Sequence, residues 1–253
     1  MQIEGTSALV TGAGSGLGEA TARHLAARGA HVAVLDLSES NAGAVAGDIG
    51  GLAVSADVAD DKAIEAAFET VTAAYGTPRI VVNCAGIGTA GRIVGRDGPL
   101  PLADFDAVVR INLVGTFNVM RVAASAMQAI EPKADDERGI IVNTASVAAF
   151  EGQIGQAAYS ASKGGIVAMT LPAAREFARF GVRVNVIAPG IFLTPLLYTL
   201  PEEAQAALAA NVPFPRRLGD PAEFADAVQF VVENRYLNGE TIRLDGGARL
   251  KPK

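Results

Sequence analysis

Residues 11–18 read TGAGSGLG, set between the apolar run SALV at 7–10 and the helical pattern EATARHLAARG at 19–29. Glycine here lets the backbone turn sharply out of a strand and brings several N–H groups to the head of a helix, whose positive end attracts phosphate. The strict GxGxxG spacing fails, because a third glycine after Gly12 and Gly14 would fall at position 17, which is Leu17. What fits is Thr11-Gly12 followed by Gly16 and Gly18. Such a turn is a weak signal by itself; its strength comes from lying at the first strand-to-helix junction of the chain. Gly12, Ser15, Gly16, Leu17 and Gly18 are therefore the expected phosphate cradle.

Outward from that turn, short aliphatic runs alternate with longer helical patterns, as parallel βαβ units require. Strands are expected at 6–11, 31–36, 52–56, 79–83, 139–144, 182–188 and 240–244, and helices at 16–28, 40–48, 60–75, 104–129, 156–180 and 220–233. Runs such as VAVL (32–35) and IVV (80–82) are apolar without alternation, so the sheet needs helices on both faces. The fold class that follows is α/β, a single domain over 1–253 built as a Rossmann-type doubly wound parallel sheet of seven strands. Segments 86–103, 131–139 and 190–219 break the alternation. The last, with Pro195, Pro201, Pro213 and Pro215, is long enough to be a substrate loop.

Composition bounds the function. The 253 residues are 50% hydrophobic and 19% charged, which fits a globular chain with a sizeable core. A net charge of −6 offers no positive field for DNA or RNA, so nucleic acid is excluded as the main partner. The single cysteine, Cys84, cannot close an intrachain disulfide and is expected to pack as a core residue. Two histidines without neighbouring thiols give no metal-ligand spacing. The amino terminus has no leader pattern, and no apolar stretch of ~18 residues is expected to span a bilayer. No membrane contact and a cytoplasmic location are the resulting expectations.

Asp36 closes the second expected strand, 20 residues after Gly16. A carboxylate there accepts hydrogen bonds from the adenosine ribose hydroxyls and repels a 2′-phosphate, and neither Ser15 nor Leu37 supplies a compensating cation. NAD is therefore expected rather than NADP. Asp57 and Val58, after the third strand, are placed to meet the adenine.

In YSASK, Tyr159 and Lys163 stand four residues apart on one helix face and can act as an acid/base unit. A phenol is a poor base at neutral pH, but an adjacent ammonium and a cationic nicotinamide ring both favour the phenolate. Such a tyrosine accepts a proton from an alcohol as its hydride leaves. Ser146, ending the strand IIVNTAS, adds a hydroxyl that orients the substrate oxygen.

TGAGSGLG, NCAG (83–86), Asn112 in INLVGTF, Ser146, YSASK and Pro189-Gly190 resemble, in order and spacing, the short-chain dehydrogenase/reductase family over nearly the whole chain. The resemblance implies that Tyr159 is the acid/base, that Lys163 lowers its pKa and holds the nicotinamide ribose, and that Ser146 positions substrate. It further implies that Asn112 holds a water linking Lys163 to solvent. Asn83, Ala85, Gly86, Pro189, Gly190 and Thr194 join the cofactor set by the same resemblance. Cys84 departs from the family's usual NNAG.

Residues 143–172, 187–197, 212–224 and 237–246 are similar to the NAD-dependent type-2 3-hydroxyacyl-CoA dehydrogenase subgroup. That similarity implies oxidation of a short or branched-chain 3-hydroxyacyl-CoA in fatty acid metabolism, a substrate contact from Gln153, and a homotetramer. Its expected interfaces are the 104–129 and 156–180 helices, with Ala157, Ala158, Ala161 and Ala168 allowing close approach, and the C-terminal strand. Phe192, Leu193, Leu196, Leu197 and Tyr198 are the side chains expected to cover an acyl chain, and Arg92, Arg96, Arg216 and Arg217 the cations available to CoA phosphates. A broad secondary-alcohol or hydroxysteroid dehydrogenase is the alternative, and a non-catalytic NAD-binding scaffold a third reading.

Overall fold

A computed structural model describes residues 1–198 and 201–252. In chain order it runs β1 (Ser7–Thr11), α1 (Gly16–Ala27), β2 (His31–Asp36), α2 (Glu39–Ile49), β3 (Leu52–Ser55), α3 (Asp61–Tyr75) and β4 (Ile80–Asn83). A ribbon of β5 (Val94–Gly95) and β6 (Gly98–Pro99) follows, then α4 (Leu102–Val109), α5 (Gly115–Gln128) and β7 (Gly139–Thr144). The last third is α6 (Ala148–Glu151), α7 (Ala157–Phe177), β8 (Val182–Pro189), α8 (Pro195–Tyr198), α9 (Glu202–Ala209), α10 (Pro221–Glu233) and β9 (Thr241–Leu244).

Seven strands form one parallel sheet in the order β3-β2-β1-β4-β7-β8-β9. Because successive strand side chains face opposite ways, each strand feeds two cores. Ala8 and Val10 of β1 share one with Leu25 of α1, Val45 of α2, and Phe224 and Val228 of α10. Leu9 shares the other with Ile64 and Phe68 of α3, Met127 of α5 and Phe177 of α7. The strand order reverses between β1 and β4, which leaves a crevice beyond their carboxyl ends.

The expected helix at 104–129 is not one regular helix: Arg110–Val114 form a π turn between α4 and α5. Such a turn inserts an extra residue and commonly marks a functional position; here it turns Asn112 inward, where it is fully buried. Taken through the π turn, Leu102–Gln128 is long and apolar enough to cross a membrane, with mean hydropathy 1.2, contrary to the expectation that no stretch qualifies. Half of its apolar window is buried inside this chain, because Val108, Val119, Met120, Ala123, Ala124 and Met127 pack in the core. The segment 86–103 is not wholly irregular either, since Gly95 pairs with Gly98 around the two-residue turn Arg96–Asp97. Likewise the loop at 190–219 holds α8 and α9.

Candidate active site

Thr11, Asn83 and Asn143 end or nearly end three adjacent strands, and their side chains tie those ends together. Asn83 Nδ2 donates to Asn143 Oδ1 at 2.8 Å, while Thr11 Oγ1 accepts the Ala85 amide at 3.2 Å and reaches Asn83 Oδ1 at 3.5 Å. Asn83 is therefore spent on bracing the strand ends and is buried behind the cleft wall. It does not line the cofactor cleft as expected; its neighbours Ala85 and Gly86 do.

A cleft of about 750 Å³ opens above those strand ends. Gly12, Ser15, Gly16, Leu17 and Gly18 line it together with Asp36, Asp57 and Val58. So do Ser146, Gln153, Tyr159, Lys163, Pro189, Gly190 and Thr194.

Each glycine has its reason. Gly12 has φ +61°, and a Cβ there would stand 2.7 Å from the Ala85 backbone; Gly18 lies so close to the Gly12 carbonyl that no side chain fits. Gly16, with φ +56°, has only Thr194 and Pro195 across an open gap, at 3.7 Å and 3.6 Å from where its Cβ would be. The first-turn N–H groups of α1 have no acceptor within the helix and face this gap, which suits a pyrophosphate.

The Asp36 carboxylate is fixed by two backbone amides, Gly14 N–H on Oδ2 and Ser38 N–H on Oδ1, both at 2.9 Å. Gly14 therefore gives its amide to Asp36 and not to a phosphate. Asp57 accepts the Ala59 amide at 2.8 Å, and Val58 is held against Gly115 and by Asn118 Nδ2 on its carbonyl at 2.8 Å. These residues fit a nicotinamide dinucleotide laid from the Asp36 end, past the α1 N-terminus, towards Tyr159.

At the other end, Lys163 Nζ donates to the Thr144 carbonyl at 2.8 Å and lies 5.8 Å from the centre of the Tyr159 ring. Burial holds the Lys163 pKa down to about 8. Burial also pushes the Tyr159 phenol above its ordinary value, and a hydrogen bond with Ser146 opposes that. Burial outweighs the Ser146 bond in the chain alone; the expectation that Lys163 and a bound nicotinamide together favour the phenolate concerns the loaded enzyme. The ammonium is turned to a carbonyl, and desolvation of the phenolate prevails.

Ser146 Oγ accepts the Ala148 amide at 3.1 Å, which aims the hydroxyl. Asn112 does not line the cleft: its Oδ1 accepts the Ile87 amide at 2.8 Å and its Nδ2 donates to the Ile87 carbonyl at 2.9 Å and Ser162 Oγ at 3.1 Å. Gly86 fills the space between Asn112 and Lys163; a Cβ there would stand 3.0 Å from Asn112 Oδ1 and 3.5 Å from Lys163 Nζ. Thr144 could have been marked in the sequence as the strand end one helix-length before Lys163, and Gly88, beside the Tyr159 ring, as a further glycine after NCAG.

The expected acyl and phosphate contacts divide. Leu197 and Phe192 both line the cleft, Phe192 with most of its ring buried edge-on to Phe224, ring centres 6.3 Å apart. Leu193 is not part of the cleft wall, and the side chains of Leu196 and Tyr198 lie outside the described residues. Both nitrogens of the Arg217 fork bind Glu223 at 2.7 Å, so Arg217 is not free for a CoA phosphate. Arg92 borders a neighbouring hollow, while Arg96 and Arg216 are exposed. Of the small residues expected at helix contacts, Ala158 packs in the core, whereas Ala161 and Ala168 face outward.

The short chain dehydrogenase family model matches residues 6–205. The chain is 51% identical to the 3-hydroxyacyl-CoA dehydrogenase type-2 of Bos taurus, over 99% of this chain and 97% of that protein. It is 36% identical to the 3-oxoacyl-[acyl-carrier-protein] reductase FabG of Thermotoga maritima, over 98% of this chain and 99% of that one. The crystal structure of 3-hydroxyacyl-CoA dehydrogenase type-2 from Mycobacterium avium superimposes with a TM-score of 0.96 at 46% identity, covering 100% of this chain and 99% of that one. By its matched motifs, its sheet order and the cleft at the strand ends, this chain is an oxidoreductase belonging to the short-chain dehydrogenase family.

Proposed function

We propose that the protein oxidises a short or branched-chain 3-hydroxyacyl-CoA to the 3-oxoacyl-CoA with NAD, in fatty acid metabolism. The observation that carries this reading is one continuous cleft with the fixed Asp36 carboxylate at one end and Ser146, Tyr159 and Lys163 at the other. The names of the relatives support the substrate. NAD is favoured over NADP because a 2′-phosphate would meet an anion that two amides hold in place, beside an exposed Leu37.

Bound nicotinamide supplies the hydride acceptor and a positive charge near Tyr159. Ser146 Oγ would hold the substrate hydroxyl, and Tyr159 Oη, as the phenolate, would take its proton while the bound cofactor supplies the hydride acceptor. Lys163, charged at neutral pH, would hold the ribose hydroxyls of a bound cofactor, and its ammonium favours the Tyr159 phenolate. In this reading Asn112 holds a water that links Lys163 to solvent as the next carrier. Gln153 contacts the substrate.

The reading includes a homotetramer, supported by exposed Val114 and Phe117 on the π turn and α5 and by outward-facing Ala161 and Ala168 on α7. Light scattering at micromolar concentration tests it, and a monomer would contradict it. A cytoplasmic location goes with the reading, suited by the reduced thiol of Cys84, and cell fractionation tests it.

Broader secondary-alcohol oxidation is the second reading, favoured by the apolar hollow of about 660 Å³ beside Gln153, with Ile93, Val94, Phe150 and Ile154 on its wall. Comparing kcat/KM for 3-hydroxybutyryl-CoA, its 2-methyl analogue, hydroxysteroids and simple alcohols, with NAD and with NADP, decides. The acyl-CoA substrates with NAD are expected to lead; steroids or alcohols far ahead would overturn the assignment.

A further inference from the structure

Leu250 lies past the last strand, yet it is part of the cleft wall that also contains Gln153 and Gln156. Charged side chains from three places hold it there. Glu151, ending α6, accepts the Leu250 amide on Oε2 at 2.8 Å and pairs through Oε1 with Arg243 of β9 at 2.5 Å and Arg249 at 3.4 Å. Asp245 takes Arg243 Nη2 at 2.8 Å and Arg249 Nη1 at 3.1 Å, and accepts the Gly247 amide at 2.9 Å. Two further bonds complete the seam: Ile154 N–H to the Pro252 carbonyl at 3.1 Å, and Gln153 Nε2 to the Lys251 carbonyl at 2.9 Å.

A lone exposed ion pair would hold such a segment weakly. Here Glu151, Arg243 and Asp245 are largely enclosed, each carboxylate also binds a backbone amide, and the Arg243 guanidinium lies 5.3 Å from the centre of the Phe150 ring. The last of the seam bonds joins it to the chemistry, because the Lys251 carbonyl that takes Gln153 Nε2 is one residue from Leu250. The same segment thus sets the pose of a substrate-end polar side chain and supplies an apolar wall next to it.

Resting on the substrate assignment above, we propose that residues 248–252 form a specificity wall for the acyl chain, with Leu250 limiting its length and Glu151 acting as the positioning residue. A chain that grows beyond the wall must displace Leu250, and one that stops short packs against it. Without the Glu151 carboxylate, the Leu250 amide and two arginines lose a shared acceptor, and Gln153 loses its fixed support. Neither residue takes part in the proton or hydride step, so the consequence falls on substrate binding and selection.

The test is kcat/KM over straight-chain substrates from 3-hydroxybutyryl-CoA to 3-hydroxydecanoyl-CoA. Leu250→Ala is expected to shift the long-to-short ratio upwards by about tenfold, the scale of one or two methylenes in an apolar pocket, and Leu250→Phe to shift it downwards. Glu151→Gln is expected to raise KM for acyl-CoA roughly fivefold while kcat stays within about twofold and NADH affinity is unchanged. It should also speed tryptic cleavage after Arg249, which reports release of the segment directly. An unchanged chain-length profile in both Leu250 variants, or parental KM and cleavage in Glu151→Gln, overturns the proposal. Should the parent enzyme oxidise secondary alcohols but no acyl-CoA, the substrate assignment fails. The same variants on alcohols of rising length then decide the wall separately, a length shift supporting it and an unchanged profile overturning it.

Discussion

The carbonyl oxygen of Thr144, the last residue of β7, accepts the Lys163 ammonium at 2.8 Å. The strand that leads to Ser146 thereby anchors the α7 residue one turn from Tyr159, so Ser146, Tyr159 and Lys163 are positioned by a strand end and a helix together. The cost is electrostatic, since a cation is buried with the Thr144 carbonyl as its hydrogen-bond partner and its pKa falls to about 8.

That burial sets a pH dependence of stability. The unfolded Lys163 pKa, near 10.5, lies above the folded value of about 8, so the penalty is full below pH 8 and is relieved as pH rises between the two. Lys163→Met should remove a penalty of about 3 kcal/mol near neutral pH and none of it above pH 10.5. Loss of the Thr144 bond opposes this, more so near neutral pH, where the donor is charged. Urea unfolding of parent and variant at the two pH values measures the difference, and a pH-independent difference would contradict the assignment.

Tyr159→Phe keeps the ring and removes the hydroxyl. We expect kcat to fall by about 10²–10⁴-fold with NADH affinity nearly unchanged. Stopped-flow turnover and fluorescence titration check the two halves, and near-parental kcat would assign the proton to another group.

Asp36→Asn with Leu37→Arg leaves an acceptor for one of the two amides, removes the fixed anion and adds a phosphate partner. NADP use should rise relative to NAD by on the order of 10- to 100-fold, the scale of relieving one close like-charge contact. The ratio of kcat/KM values for the two cofactors is the readout. An unchanged ratio would remove Asp36 from cofactor selection.

Asn112→Ala leaves both the amide and the carbonyl of Ile87 without their partner. Each orphaned group costs about 1–3 kcal/mol where water does not replace the bond. Denaturant midpoints should fall accordingly, and KM for NAD should rise because Gly86 and Ile87 form the wall beside Lys163.

Cys84 is half-buried at the cleft wall, and desolvation pushes its thiol up to about 11 from 9.0, against the weaker pull of Thr144 and Lys163. At a given pH below both values it should carry about a hundredfold less thiolate than an ordinary cysteine. Iodoacetamide labelling in native buffer should be correspondingly slow and rise on unfolding; rapid native labelling would contradict this.

The sheet was legible because each strand run is apolar, short and bounded by a helix pattern, and the ends of β2 and β7 fall at the expected residues. The π turn was not, since RINLV carries an ordinary helical pattern and the bonds Asn112 makes with Ile87 and Ser162 are tertiary. Asn83 was legible as a motif member, but not as a brace between strands, because its partner Asn143 is sixty residues away in the chain. Phe192 reads as a side chain that covers an acyl chain; it does line the cleft, but its burial against Phe224, with Gly219 leaving room for the ring, has no local signal. Leu250 gives no signal at all: it follows the last strand, and tertiary contacts, chiefly the charges on Glu151, Arg243 and Asp245, bring it to the cleft.

The central claim, hydride transfer from C3 of a 3-hydroxyacyl-CoA to NAD with Tyr159 taking the hydroxyl proton, is tested most directly by isotope transfer. 3-Hydroxybutyryl-CoA deuterated at C3 is turned over with NAD, and the NADH formed is analysed by mass spectrometry beside a Tyr159→Phe control. Deuterated NADH in step with 3-oxoacyl-CoA from the parent enzyme, and almost none from the variant, is the expected result. Unlabelled NADH, no NADH, or equal deuterium transfer by the variant would contradict the claim.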